Sequence, residues 1–149
     1  MANLLQKYEL KYDCSPNIIK KFLKELFSIL ENYKIDIENL DFRIELALRE
    51  ILANAVEHPC YDKETIKNSN KEIKIVIKIR IKKDQIFLSV KDSGKGFDWK
   101  NYDFQKELSF EENGRGLKMI NDVVDKLEFN KSGNKIKVYF FSDKEITKK

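Results

Sequence analysis

The chain has 149 residues, 42% hydrophobic and 36% charged, which fits one globular domain over residues 1–149 with a buried core and excludes a disordered chain. Its 29 Lys and Arg against 25 Asp and Glu leave a formal charge of +4, too mild and too dispersed to imply nucleic acid. No apolar run approaches the roughly 18–20 residues that span a bilayer, and the first residues lack the basic start and apolar stretch of a signal peptide, so a cytoplasmic protein is expected.

Residues 5–12 alternate through Leu5, Tyr8, Leu10 and Tyr12 and predict a short strand. Ser15-Pro16 then reads as N-cap and first position of a helix to about residue 33, with Ile18, Phe22, Leu23, Leu26 and Leu30 at helical spacing. Asp36 is a candidate cap for a second helix whose apolar face runs through Leu40, Ile44, Leu48, Ile51 and Leu52, and Pro59 marks its expected end. Cys14 and Cys60, which flank this helical region, have no metal-ligand spacing and read as free thiols in a reducing compartment.

The clearest strand is "EIKIVIKIRI", with isoleucines on one face and Lys74, Lys78 and Arg80 on the other. Lys82-Lys83-Asp84 turns it into a partner, Gln85–Lys91. The basic face reads as the solvent side of an antiparallel sheet whose other side carries helices, since no aromatic residues interleave with the bases along the strand. A third helix is predicted from near Gly116, carrying Leu117, Met119, Ile120, Val123, Val124 and Leu127, and a hairpin from Leu127–Asn130 to Lys135–Ser142 ends the chain. Between Asp92 and Gly114 lies a long stretch with little periodicity but with Phe97, Trp99, Tyr102, Phe104 and Phe110, which reads as a lid.

Three constellations carry the chemistry. On the second helix, Arg43, Glu50, Asn54 and Glu57 share one stripe. The stripe is either a solvated helix face or a ligand-facing one, and small Ala47 and Ala53 beside it leave room for close approach. There Glu50 can take a proton from a hydroxyl, and the Asn54 carbonyl oxygen suits a hard cation such as Mg²⁺. Next, "VKDSGKGFD" follows directly on a strand, placing Asp92 at its end with Gly94 and Gly96 behind it; the alternative is a plain glycine-rich turn. Last, "NGRGLKMI" sets Gly114 and Gly116 around Arg115 at a helix start. Backbone N–H groups there, with Arg115 and Lys118, can cradle phosphate, unless this is only a loop-to-helix junction capped by Asn113.

In this order the three motifs resemble the N, G1 and G2 boxes of the GHKL ATPase superfamily, over about residues 36–142. The resemblance implies the Bergerat ATP-binding fold, an α+β two-layer sandwich with a mixed, mainly antiparallel sheet and helices on one face. It implies ATP and Mg²⁺ as cofactors, with Glu50 as general base, Asn54 as Mg²⁺ ligand and Asp92 accepting a hydrogen bond from the adenine amino group. Gly94, Gly96, Gly114, Arg115, Gly116, Leu117 and Lys118 complete the implied nucleotide site. "LALREILANAVEHP" and "NGRGLKMINDVVDKLEF" look most like bacterial anti-sigma-factor serine/threonine kinases. Ile51, where the family often has Ala, and Asn113, where many members have Gly, depart from the pattern. His58 stands at a helix end before Pro59 and is not expected to carry phosphate.

Such kinases act as dimers on a sigma factor and phosphorylate an anti-anti-sigma (STAS-type) protein, with no direct role for nucleic acid or membrane. A nucleotide-gated binding module without phosphotransfer is the rival expectation, and a structural or nucleic-acid-binding domain with chance glycines is the third.

Overall fold

The computed structural model describes residues 4–13, 15, 17–61, 74–92, 112–130 and 134–149, with side chains on the second helix up to Asn54 and on the third from Leu117. Strand β1 (Leu4–Asp13) leads through Asn17 into helix α1 (Ile18–Leu30). The helix starts two residues later than Pro16 would place it: the Lys21 N–H donates to the Asn17 carbonyl, while the Ser15 carbonyl accepts from Ile18, three residues on. A two-residue strand β2 (Tyr33–Lys34) precedes helix α2 (Leu40–Tyr61).

Asp36 does not cap α2. Asn39 precedes the helix in the left-handed region (φ 55°), which Asn tolerates better than most residues, and its carbonyl accepts the Arg43 N–H at 2.9 Å. Asp36 instead pairs with Lys144 at 3.2 Å. Nor does Pro59 stop α2, which runs two residues further. Near the end of a 22-residue helix, a missing N–H costs a single backbone bond.

Strands β3 (Lys74–Lys82) and β4 (Gln85–Lys91) form the expected hairpin. Helix α3 (Glu112–Val123), strand β5 (Lys126–Phe129), strand β6 (Lys135–Phe141) and a short β7 (Thr147–Lys148) complete the chain. The main sheet has the order β1-β3-β4-β6-β5, and every pairing among the described residues is antiparallel; β7 pairs with β2 apart from it. Of the mixed, mainly antiparallel sheet expected, the described strands supply the antiparallel part.

Period-two alternation turns Ile75, Ile77, Ile79, Ile81, Ile86, Leu88 and Val138 to one face of the sheet, where each is essentially inaccessible. The apolar stripes of the helices close on that face: Phe22 and Leu26 from α1, Ile44, Leu48 and Leu52 from α2, Leu117 and Ile120 from α3. This is the two-layer sandwich predicted, and among the described residues its core has no charged member. Ile146 inserts from the C-terminal segment, whose N–H donates to the Lys83 carbonyl at 2.8 Å. The Tyr8 and Tyr33 hydroxyls meet at 3.2 Å and tie β1 to β2.

A candidate nucleotide site at one end of the sheet

Helix α2 separates its polar residues into two kinds. Asp41, Glu45 and Arg49 are exposed, and Arg49 spends its guanidinium on Glu45 at 2.9 Å. Arg43, Glu50 and Asn54 are half-buried, and Ala47, which falls among them, is fully buried. The stripe is therefore not the solvated face of the helix. It lies on the border between the core and solvent, where α2 packs against α3.

Arg43 fixes that packing. Its Nε–H donates to the Val123 carbonyl at 2.8 Å, its Nη2 reaches the Asp125 carboxylate at 3.1 Å, and its guanidinium lies 5.4 Å from the centre of the Phe140 ring. Asp125 in turn accepts the Phe141 N–H at 2.7 Å. The first turn of α2, the last turn of α3 and the end of β6 thus meet at one end of the molecule. Sequence pattern places Arg43 on the stripe but gives no hint of this function, because both its partners lie some 80 residues away.

From that anchor α2 and α3 run alongside each other in opposite directions. At about 1.5 Å per residue, Asn54 is about 16 Å along α2 from Arg43, level with the first turn of α3. The helix therefore brings Glu50 and Asn54, one turn apart, to the end of α3 that holds Gly114, Arg115 and Gly116. Asp92 comes to the same end. It follows β4, the central strand, two residues beyond Val90 and so on the same, helix-covered side. Its backbone N–H donates to the Asn134 carbonyl at 3.0 Å, extending the β4–β6 ladder by one step, and it is half-buried.

Helix α3 begins at Glu112, four residues before the predicted start. Glycines at 114 and 116 disfavour helix, but Leu117, Ile120 and Val124 pack into the core and carry the helix through them. The helical N–H groups without an intrahelical acceptor are consequently those of residues 112–114, which include Gly114 of the motif. Leu117 is 6% exposed and belongs to the core, so any part it plays at a ligand is through its backbone. Lys118 is half-buried beside it. Gly94, Gly96, residues 93–111 of the stretch read as a lid, Cys14 and the side chains of Glu57, His58, Arg115 and Cys60 lie outside the described residues.

Glu50 and Asn54 offer hard oxygen donors. Among the described residues no three His, Cys, Asp or Glu side chains gather as a metal cage. A divalent ion here would take most of its ligands from phosphate and water, as Mg²⁺ does when bound by one or two protein oxygens. No helix among the described residues is long and apolar enough to cross a membrane.

A search of curated proteins returns no match to the chain. A family model described as the histidine kinase-like ATPase domain matches residues 15–140, from the start of α1 to the end of β6. The match takes in all three motifs, strands β3 to β6 of the sheet behind them and the helices that bring them to one end, and leaves out the edge strand β1. The chain belongs to the histidine kinase-like ATPase domain family, and is an ATP-binding, kinase-like ATPase of GHKL type.

Proposed function

We propose that the protein is an ATP- and Mg²⁺-dependent serine/threonine protein kinase that acts as an anti-sigma factor. In this reading it binds a sigma factor as a homodimer and phosphorylates a Ser or Thr of a STAS-type anti-anti-sigma antagonist. The observation that carries the phosphotransfer reading is the pair Glu50 and Asn54, half-buried one turn apart on α2, at the end of the molecule shared with Asp92 and the start of α3. The choice of partners rests on the likeness of "LALREILANAVEHP" and "NGRGLKMINDVVDKLEF" to the anti-sigma kinases.

Phosphoryl transfer asks a protein mainly for positioning and charge compensation. Asp92 would hold the adenine amino group by accepting its hydrogen bond, fixing the nucleotide at the end of β4. Backbone N–H groups at the start of α3 would bind phosphate oxygens. Glu50 would take the proton of the acceptor hydroxyl as its oxygen bonds to the γ-phosphorus and ADP departs. Asn54 Oδ1 would hold the Mg²⁺, whose chemistry is to offset the phosphate charge.

The test is to incubate the protein with γ-labelled ATP, Mg²⁺ and each STAS-type protein of the source organism, and to characterise the label. Transfer of acid-stable, alkali-labile phosphate to one of them, reduced at least 100-fold in Glu50→Gln, is expected for loss of a general base. Acid-labile phosphate would mark a phosphohistidine and refute the serine/threonine reading. Nucleotide-dependent binding of a partner with no transfer would leave a gated binding module.

A further inference from the structure

The side of the sheet turned away from the helices is strongly basic. Following the register, β1, β3, β4, β6 and β5 present ten Lys and Arg there against three acidic residues. Two of the three acids are engaged, Asp13 with Lys74 and Glu128 with Lys126. No described helix packs on this side. Four ammonium groups crowd its centre: Lys78 and Lys137 flank the fully buried Ser89, and Lys91 stands opposite Lys135. None of the four forms an ion pair among the described residues. Burial, and then the charges of Lys137, Lys78, Lys91 and Arg80, hold the Lys135 ammonium below the ordinary lysine pKa.

Aromatic residues interleave with these bases, across the strands rather than along any one of them. One register row reads Lys7, Arg80, Phe87, Tyr139, Lys126. Along β6 the outward side chains are Lys135, Lys137, Tyr139 and Phe141, two cations followed by two rings at about 7 Å intervals. Arg80 covers Phe87, but Tyr139 is half-buried and Phe141 is 47% exposed. β3 itself carries no ring on this face; the rings belong to neighbouring strands.

We propose that this face binds single-stranded nucleic acid, with backbone phosphates on Lys78, Lys91, Lys135 and Lys137 and a base stacked on Phe141 beside Tyr139. Three considerations select this occupant. A second copy of the chain would bring like charges face to face. A folded protein partner is a poor match, since lysine is depleted at protein–protein interfaces, whereas clustered lysine is the footprint of phosphate binding. A duplex keeps its bases stacked inside and would leave the exposed ring of Phe141 without a role, while an unpaired base offers its π-face. The nucleotide site lies on the other side of the sheet, so the two sites are separable by substitution.

The experiment is fluorescence anisotropy of a labelled 12-nucleotide oligo-U between 50 and 300 mM NaCl, with the matching duplex and polyglutamate as competitors. With four phosphates engaged, log affinity should fall against log salt with a slope of roughly −3. Lys78→Ser/Lys135→Ser/Lys137→Ser should weaken binding at least tenfold at the lowest salt and cut the slope to about −1. Phe141→Ser should weaken it by about tenfold at every salt and leave the slope unchanged. Each variant should keep the wild-type melting temperature to within a few degrees and its ATP affinity, which establishes folding independently. Absence of salt-sensitive binding by wild type, or affinity indifferent to both variants, would overturn the proposal. So would duplex binding as tight as single strand, and so would preference for polyglutamate, which would mark the face as a dock for an acidic protein.

Discussion

Replacing Arg43 by Met keeps the apolar stem and removes the guanidinium that joins α2 to the end of α3. Three of its four interactions account for the expected loss, the fourth being a long hydrogen bond from Nη1 to the Glu38 carbonyl at 3.5 Å. The bond to the Val123 carbonyl at 2.8 Å is charge-assisted and worth about 1.5–3 kcal/mol. The pair with Asp125 is partly exposed, 22% and 34% for the two side chains, and contributes about 0.5–1 kcal/mol. The contact with Phe140 adds about 0.5–1 kcal/mol. The three share one group and are not independent, so the expected loss is about 2–4 kcal/mol, a large share of the roughly 5–15 kcal/mol that holds a domain of this kind together. Urea unfolding of wild type, Arg43→Met, Asp125→Asn and the double variant would measure it. Asp125→Asn keeps an acceptor for the Phe141 N–H and removes only the charge, so the cycle should return a coupling of about 1 kcal/mol. Because the same contact sets how Asn54 lies against α3, ATP affinity should fall in Arg43→Met below its urea transition. A loss under about 1 kcal/mol, with ATP affinity intact, would refute the anchoring role.

Three further outcomes are open to direct measurement. In calorimetric titration with Mg²⁺, Asp92→Asn should lose ATP affinity by at least tenfold, and Asn54→Ala should lose the Mg²⁺ dependence; undiminished binding in either removes that residue from the site. Leu48→Ala, at a fully buried position, should cost about 2–5 kcal/mol in urea unfolding, and a cost near zero would contradict its place in the core. Burial, and then the hydrogen bond with Tyr8, push the Tyr33 hydroxyl up to about 12 from its ordinary 10.0. The unfolded chain then releases this proton first, so the stability it contributes is complete below pH 10 and drains away between pH 10 and 12. Tyr33→Phe should show a shallower alkaline decline in melting temperature, and an unchanged profile would show that the shift has no such effect.

The sheet was the most legible part of the sequence, because each strand alternates cleanly and the hairpin turn at Lys83-Asp84 admits one register. Helix ends were not. Pro16, Asp36, Pro59 and Gly116 are all good local signals, and at each the boundary lies elsewhere: α1 and α2 start later than Pro16 and Asp36 would place them, α2 runs past Pro59, and α3 starts ahead of Gly116 because the core contacts of Leu117 and Ile120 outweigh the glycines. The stripe of Glu50 and Asn54 was visible from helical periodicity, but its exposure was not. A pattern of period 3.6 says which residues share a side of a helix and says nothing of which neighbour covers that side. The same limit concealed the interleaved rings on the open side of the sheet, which belong to different strands.

The arrangement also explains why the candidate site sits where it does. Its parts come from positions 50–54, 92 and 112–118, on three separate elements. Isoleucines and leucines between sheet and helices set the distance of α2 and α3 from β4, and they are apolar contacts without direction, so they leave the helices free to slide. Directional contacts are needed to fix the slide, and the structure supplies them at the end remote from the candidate site, through Arg43, Asp125 and the Phe141 N–H. With that end pinned, the length of α2 alone determines that Asn54 arrives level with the start of α3. The polar contacts that set the helix register are thus made about 16 Å from Asn54, and Glu50 and Asn54 stay half-buried at the candidate site without having to make them.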